Sequence, residues 1–375
     1  MISWVLGRSL NRHSEGDRIA LHSASVVYEK HPPETLPVRG RSSLPGGRHR
    51  RPASAELPPD APALVLAVPR APAPPGEPWP EGWGDRVATD IASLTRAARA
   101  DVDIRVGHLY GYTGDGTTLT EVLRNVAAVR AASRRSANHD ANPEAGYGAS
   151  FVMSHDAVVV PLLTGANPAA YDAIRSAVTA SGVTAMVTEP LGPHPLLAEA
   201  LHVRLAESGL ARADRIRQFS IGASVDGVVV ATLGGPTAVQ EADITAVLLA
   251  ARLAVPVVAA GLDAAPGVAE QADRLRAAGA VRLALAPHLI GPEADPDFLA
   301  KIAARADAGC SGPLGAHEAV VRLVNLRYEV ALEELTERMV SAVAEAEAAA
   351  AAEPAAAAEP VPETPSAYGP AEGTS

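Results

Sequence analysis

Short apolar runs alternate along this chain with longer stretches of helical periodicity. The run at 63–68 is uninterrupted and bounded by prolines, which is typical of a central strand covered on both faces. The predicted strands are 63–68, 103–109, 157–163, 183–187, 227–233, 255–260 and 281–290. The predicted helices are 85–100, one starting at 118, 167–181, 191–208, 239–253, 268–278, 296–306 and 314–343. This alternation predicts parallel sheets with helices on both faces.

Local signals refine three of these elements. The first helix is predicted to bury the face that carries Val87, Ile91, Leu94 and Ala98. The second has Thr118 as its predicted N-cap, and Glu121 completes a capping box. Residues 132–150 are polar and contain glycine, so we predict a surface loop there.

One phrase occurs twice, 123 residues apart. Pro190-Leu191-Gly192-Pro193-His194 recurs as Pro313-Leu314-Gly315-Ala316-His317, and each copy follows a strand, a glycine and a helix in the same order. A repeated βα unit predicts an internal duplication. We therefore predict two similar doubly wound α/β lobes that face each other across a cleft, with residues 190–201 superposing on 313–324.

Composition divides the 375 residues into four parts. Residues 1–60 form a predicted disordered N-terminal arm with net charge +3, and residues 339–375 form a predicted disordered Ala/Glu/Pro tail with net charge −6. The predicted lobes are 61–212 and 213–338, which carry about −8 of the total −11. An acidic body argues against nucleic-acid binding, which needs a positive footprint.

Other sequence features restrict the location and the chemistry. The sequence has no apolar run long enough to span a membrane and no signal-peptide pattern, so we expect a cytoplasmic protein without membrane contact. Its single cysteine, Cys310, excludes an intramolecular disulfide and a cysteine-rich metal site.

With the elements placed, several motifs resemble one family, the sirohydrochlorin chelatases (class II chelatases). These motifs are Val158-Val159-Val160-Pro161-Leu162-Leu163 followed by Gly165, both copies of the repeated phrase, Ala277-Ala278-Gly279-Ala280-Val281-Arg282, and Leu326-Arg327-Tyr328. The resemblance covers residues 62–335. It implies a protein that inserts Co²⁺ or Fe²⁺, the substrate metal, into sirohydrochlorin for cobalamin or sirohaem synthesis.

The family's chemistry requires imidazole at two positions. Two pyrrole protons must leave while a metal arrives, and imidazole is both a base near neutral pH and a metal ligand. The family has one histidine directly after its first strand and another after its third. Here these positions are Pro69, followed by Arg70, and Asn167. Proline cannot ligate a metal or accept a proton, so both family histidines are replaced.

Other residues are candidates for parts of such a site. His108 lies near the end of its strand, where ligands of open α/β sheets bind, and His288 lies near a strand end in the second lobe. Both are candidate metal ligands, although a structural role is the alternative for His288. Candidate substrate-binding residues, which would form a basic rim for a carboxylate-rich tetrapyrrole, are Arg70, Arg105 and Arg175.

The remaining motifs favour structural roles. His194 and His317 stand at helix starts in both copies of the phrase, which favours a role at the βα junction. The Gly111-x-x-Gly114-x-Gly116 segment follows a strand and precedes a helix but lacks the recognised phosphate-loop patterns, so a flexible turn is favoured over a phosphate-binding loop. Gly234-Gly235 either binds an anion at the start of the next helix or makes a turn.

Two function hypotheses remain open. One is a sirohydrochlorin chelatase with weakened activity. The other is a catalytically inactive, chelatase-like partner or regulator that binds a tetrapyrrole or a metal. Because function depends on the site rather than on the fold, metal stoichiometry and sirohydrochlorin turnover would separate them.

Overall fold

The computed structural model describes residues 60–69, 85–109, 118–140, 155–212 and 225–356, with the side chains of 85, 137–140 and 350–356 excepted. Nearly all of the predicted arm, the end of the predicted tail, Arg70 and the Gly111–Gly116 segment lie outside these residues. The domain limits given above therefore stay predictions. None of the described helices is both long and apolar enough to cross a membrane.

The first half of the described chain contains four strands and four helices. They are β1 (Ala63–Val68), α1 (Asp85–Ala98), β2 (Ile104–His108), α2 (Leu119–Asp140), β3 (Ala157–Pro161), α3 (Pro168–Ser181), β4 (Ala185–Val187) and α4 (Pro195–Glu207).

The second half repeats this order. Its elements are β5 (Gly227–Thr232), α5 (Gly235–Leu253), β6 (Val257–Gly261), α6 (Val268–Ala277), β7 (Leu283–Pro287), α7 (Pro296–Arg305), β8 (Ala308–Cys310) and α8 (Glu318–Ala356).

The two halves build matching parallel sheets. The strand orders are β2-β1-β3-β4 and β6-β5-β7-β8. In the first sheet Val65 pairs with Arg105 and Val159. In the second sheet Val229 takes the same central place, between strands β6 and β7. The prediction of two similar α/β lobes with parallel sheets is confirmed.

The sheets and helices stack in five layers. Even-numbered residues of β1 and β3 belong to one large core shared with α1, α4, α5 and α8, which lie between the two sheets. Odd-numbered residues face a second core on the outer side of the first sheet, against α2 and α3. The outer side of the second sheet packs on α6 and α7. Both sheets are thus covered on both faces, as their apolar strands require.

Helices α4 and α8 are exchanged between the lobes. Helix α4 follows the first sheet but packs on β7, and α8 follows the second sheet but packs on β3. Two hydrogen-bonded contacts fix the exchange. The buried Tyr328 hydroxyl donates to the Pro62 carbonyl at 2.6 Å, and the Arg204 guanidinium donates to the Leu314 carbonyl at 2.7 and 3.0 Å. Neither lobe covers its inner face without the other.

The repeated phrase has the same role in both lobes. The Leu191 N–H donates to the Leu163 carbonyl and the Leu314 N–H donates to the Leu289 carbonyl, each at 2.9 Å. Both Leu191 and Leu314 are fully buried. In each lobe the phrase therefore ties the chain after the last strand to the chain after the third, and then starts the exchanged helix.

Some boundaries differ from those predicted. Helix α2 runs to Asp140, so residues 132–140 are helical rather than loop. The reason is that Arg130 and Arg134, one turn apart, form ion pairs with Asp60 and Asp156. The short strand β8 was not predicted, and α8 begins at Glu318 rather than near 314 and continues beyond 343 to Ala356.

Helix α1 also buries a different face from the one predicted. Ala88, Ile91, Ala92 and Thr95 are fully buried, whereas Leu94 is 45% exposed. The Thr95 hydroxyl donates to the Ile91 carbonyl at 2.7 Å. This threonine can therefore be buried in the core because its hydroxyl keeps a hydrogen bond. The predicted capping box of α2 is confirmed, because Thr118 and Glu121 exchange hydrogen bonds.

Candidate functional site

A pocket of about 390 Å³ lies beyond the carboxyl ends of β3 and β4 and extends to helices of the second half of the chain. We call it the strand-end pocket. Its lining residues are Ala166, Asn167, Pro168, Tyr171, Glu189, Pro190, Gly192, Pro193, Glu241 and Arg327. The position is where open α/β sheets bind ligands. Glu241 comes from α5 and Arg327 from the exchanged helix α8, so both lobes build the pocket.

The two lobes are in direct contact beside this pocket. The Glu241 carboxylate accepts a hydrogen bond of 2.6 Å from the Ala166 N–H. The Thr164 hydroxyl donates to the His288 carbonyl at 2.7 Å. Polar contacts therefore join the lobes beside the strand-end pocket, which itself stays open.

Asn167 is committed to the start of helix α3. It is the N-cap, and its Oδ1 accepts from the Ala170 N–H at 3.1 Å. This bond satisfies one of the free N–H groups at the helix start. It leaves the Asn167 Nδ2 amide as a hydrogen-bond donor in the pocket. Pro69 follows β1 and is buried. The structure thus brings Asn167, but not Pro69, into the pocket lining.

His194 and His317 are N-caps as well. The Nδ1 atom of His194 accepts from the Leu196 N–H at 3.2 Å, and that of His317 accepts from the Ala319 N–H at 3.1 Å. A neutral imidazole that accepts at Nδ1 carries its proton on Nε2, so it cannot use Nε2 as a metal ligand. Because Nδ1 caps the helix and Nε2 is protonated, both histidines have the structural role that was predicted for them at the βα junctions. Burial lowers the pKa of both histidines, and for His194 the nearby charge of Arg327 lowers it further.

His108 and His288 are both buried at strand ends, in different sheets. His108 ends β2 and is 7% exposed, and His288 follows β7 and is 1% exposed. Both ring nitrogens of His288 lack hydrogen-bond partners. Among the described residues no group of three histidine, cysteine, aspartate or glutamate side chains could hold a metal ion. The structure therefore does not bring these two candidate ligands into a metal site with other such side chains.

Two buried titratable groups lie close together in sequence after β7. Burial lowers the pKa of His288 to about 4. Burial raises the pKa of Glu293 to about 7, although the N–H groups of Gly291 and Ile290 donate to its carboxylate and oppose the shift. As pH rises from 4.5 to 6.5, the His288 contribution to stability increases because the unfolded state binds more protons there. The Glu293 contribution decreases over the same range because the folded state binds more protons.

We expect the Glu293→Gln variant to show a steeper gain in stability with pH than the natural chain. Removing the Glu293 carboxyl leaves the His288 contribution unopposed. The slope of the unfolding free energy against pH then increases by at most about 1.4 kcal/mol per pH unit. The free energy of urea unfolding at several pH values between 4.5 and 6.5 measures this slope. Identical slopes in the two proteins would contradict the assignment, whatever constant destabilisation the lost acceptor causes.

The two described arginines of the predicted basic rim, Arg105 and Arg175, do not lie in the strand-end pocket. Arg105 is an exposed residue of the edge strand β2, pairs with Asp103 at 2.7 Å, and lines a different groove between α1 and α2. Arg175 is exposed on α3, one turn after Tyr171. Arg70 is outside the described residues. Neither Arg105 nor Arg175 lines the strand-end pocket.

The two glycines after β5 already bind a carboxylate side chain of this protein. The N–H groups of Gly234 and Gly235 donate to the Asp263 carboxylate at 3.1 and 3.3 Å. Of the two interpretations of this pair, the turn is therefore favoured over a site for an external anion.

The pocket also contains residues that the sequence analysis did not select as site residues. Tyr171 donates to the Thr188 carbonyl at 3.2 Å, and its pKa is raised by burial and by the exposed Glu189. Glu241 and Arg327 lie far from Asn167 in sequence. Only Arg327 had a signal, because it belongs to the Leu326-Arg327-Tyr328 motif noted above.

Comparisons with known proteins give weak similarities. No family model and no curated protein matches the sequence. The sirohydrochlorin chelatase SirB from Bacillus subtilis subspecies spizizenii, in complex with cobalt, aligns with 15% identity and a TM-score of 0.41 over 72% of this chain and 94% of that one. SirB from Bacillus subtilis with Fe³⁺ aligns with 16% identity and a TM-score of 0.42 over the same shares.

A multi-domain protein from Deinococcus radiodurans with structural similarity to chelatases aligns with 17% identity and a TM-score of 0.44. The alignment covers 71% of this chain and 55% of that one, so this chain spans about half of the larger protein. All three TM-scores are below 0.5. The architecture therefore rests on the strand order and register of this chain itself.

Proposed function

We propose that this chain is a cytoplasmic, chelatase-like protein that binds a tetrapyrrole carboxylate such as sirohydrochlorin. We further propose that it inserts Co²⁺ or Fe²⁺ into that ligand poorly or not at all. The observation that carries the proposal is the pair of residues at the positions where the resembled family has histidine. Pro69 has no group that could ligate or deprotonate, and Asn167 Oδ1 is engaged by the Ala170 N–H.

The chemistry of metal insertion supports the negative part of the proposal. A base must accept the two pyrrole protons at the centre where the metal is delivered. In the described part of the strand-end pocket the side chains that could act as a base are Glu189 and Glu241, and Glu241 is held by the Ala166 N–H. The described residues include no cluster of three metal-ligating side chains to deliver the ion.

The position and composition of the pocket support the positive part. It lies where α/β sheets bind ligands, and it combines an arginine, an amide and an aromatic ring. Its volume of about 390 Å³ suits one edge of a tetrapyrrole rather than the whole macrocycle. The rest of such a ligand would lie outside the pocket.

Absorbance titration of sirohydrochlorin with the purified full-length chain tests both parts. We expect a saturable spectral change that reaches its end point at one ligand per chain. On addition of Co²⁺ we expect the complex to metallate no faster than free sirohydrochlorin. Absence of a spectral change would contradict the binding proposal, and multiple turnovers by the natural chain would contradict the loss of catalysis.

A further inference from the structure

Arg327 is the unusual side chain of the strand-end pocket. Within the described part of the chain it forms no hydrogen bond and no ion pair, and its Nε is buried without a partner. By contrast Arg204, on the exchanged helix α4, donates to the Leu314 carbonyl and to Glu207. A guanidinium carries five donors that match a carboxylate in a planar fork. A buried donor without a partner costs free energy, so its retention in a pocket points to a ligand that accepts from it.

A further hydrogen-bond donor lines the same pocket as Arg327. The Asn167 Nδ2 amide is free to donate because Oδ1 serves the helix cap. An oxyanion between these groups would receive charge-assisted hydrogen bonds.

Two carboxylates limit what the pocket accepts. Glu189 and Glu241 also line it, so its formal charge is −1 with Arg327 included. Glu241 is partly neutralised by the Ala166 N–H at the start of α3, whereas Glu189 is exposed. Arg327 therefore offers a place for one carboxylate, and the other carboxylates of a carboxylate-rich ligand would lie outside the pocket, away from Glu189 and Glu241.

We propose that Arg327 is a carboxylate anchor that binds a single propionate-like side chain of the ligand, with the Asn167 amide as the second donor. The identity of the whole ligand rests on the proposed function, whereas the anchor itself does not.

The anchor is tested with propionate itself, by broadening of its methyl NMR resonance in the presence of the full-length chain. We expect broadening by the natural protein, and much less by Arg327→Gln. Propionamide, the neutral analogue of the same shape, should not bind. Arg322→Gln is the matched control because Arg322 is exposed on the same helix and pairs with Glu318 outside the pocket. Equal broadening for propionate and propionamide, or for the natural chain and Arg327→Gln, would overturn the proposal.

Titration with sirohydrochlorin separates the anchor from the proposed function. Arg327→Gln should weaken its binding by about 10- to 100-fold, since hydrogen bonds to charged groups contribute on that scale. Arg327→Lys should recover part of the loss, because lysine keeps the charge without the fork. If sirohydrochlorin binds equally to all these proteins, the function stands and the anchor is wrong. If propionate binds through Arg327 but sirohydrochlorin does not bind, the anchor stands and the function is wrong.

Discussion

The combined variant P69H/R70G/N167H is expected to insert Co²⁺ into sirohydrochlorin at least about 100-fold faster than the natural chain. A positioned general base contributes roughly 10²- to 10⁴-fold, and the variant places imidazole at both positions that the sequence resemblance assigns to histidine. Since an imidazole that is holding the metal cannot accept a proton on the same nitrogen, N167H and P69H/R70G taken separately should each give much less. Initial rates under matched metal and tetrapyrrole concentrations measure the effect.

The histidine at position 167 has a structural cost that can be measured separately. As a helix cap it would accept at Nδ1 and carry its proton on Nε2, as His194 does, but as a metal ligand it must present an unprotonated Nε2. Ligation therefore removes the cap of α3, which costs about 1 kcal/mol. Rates should be compared only after urea unfolding shows that each variant is folded.

Two results would contradict this view of the site. A natural chain that already metallates sirohydrochlorin over many turnovers would mean that other residues do the chemistry, and His108→Ala and His288→Ala would then identify them. A combined variant that binds sirohydrochlorin but gains no rate would mean that the missing histidines are not what limits insertion.

The sequence predicted the sheets well because their strands carry a strong local signal. The run at 63–68 and the run ending at Pro161 are buried on both faces, so neither depends on tertiary context to be recognised. The repeated phrase, with Leu191 and Leu314 at its centre, predicted the similarity of the lobes. Weak local signals failed, as in β8, which has three residues with Gly309 at its centre.

The exchange of α4 and α8 could not be predicted from periodicity. An apolar face shows that a helix is packed but not which sheet it covers. The strand-end pocket depends on this exchange, because Arg327 lines the pocket together with Asn167 but belongs to a helix that follows the other sheet. Sequence reasoning therefore identified one wall of the pocket through Asn167 and missed Glu241 and Arg327, which the tertiary fold supplies.

The Gly234→Ala variant is expected to lose about 3 kcal/mol of stability. Gly234 has a φ of 124°, a conformation that L side chains rarely adopt. A Cβ at this position would also lie 2.4 Å from the Ala166 carbonyl oxygen and 3.0 Å from Asn167. The methyl group would push the second lobe away from the loop that starts α3, and such overpacking costs about 1–3 kcal/mol in addition to the backbone strain.

Gly235→Ala is the control that isolates the contact between the lobes. Gly235 has a φ of 78°, its N–H donates to the same Asp263 carboxylate, and a Cβ added there would meet no heavy atom within 4 Å. The variant should therefore lose only the stability that the added backbone strain costs, about 1–2 kcal/mol. Urea unfolding gives both values. Since Gly234 touches the residues that line the strand-end pocket, only Gly234→Ala should also weaken sirohydrochlorin binding. Equal losses of stability in the two variants would contradict this prediction. They would show that the lobes move apart at Gly234 without cost, and that the Glu241 and Thr164 hydrogen bonds hold the lobes together beside the pocket.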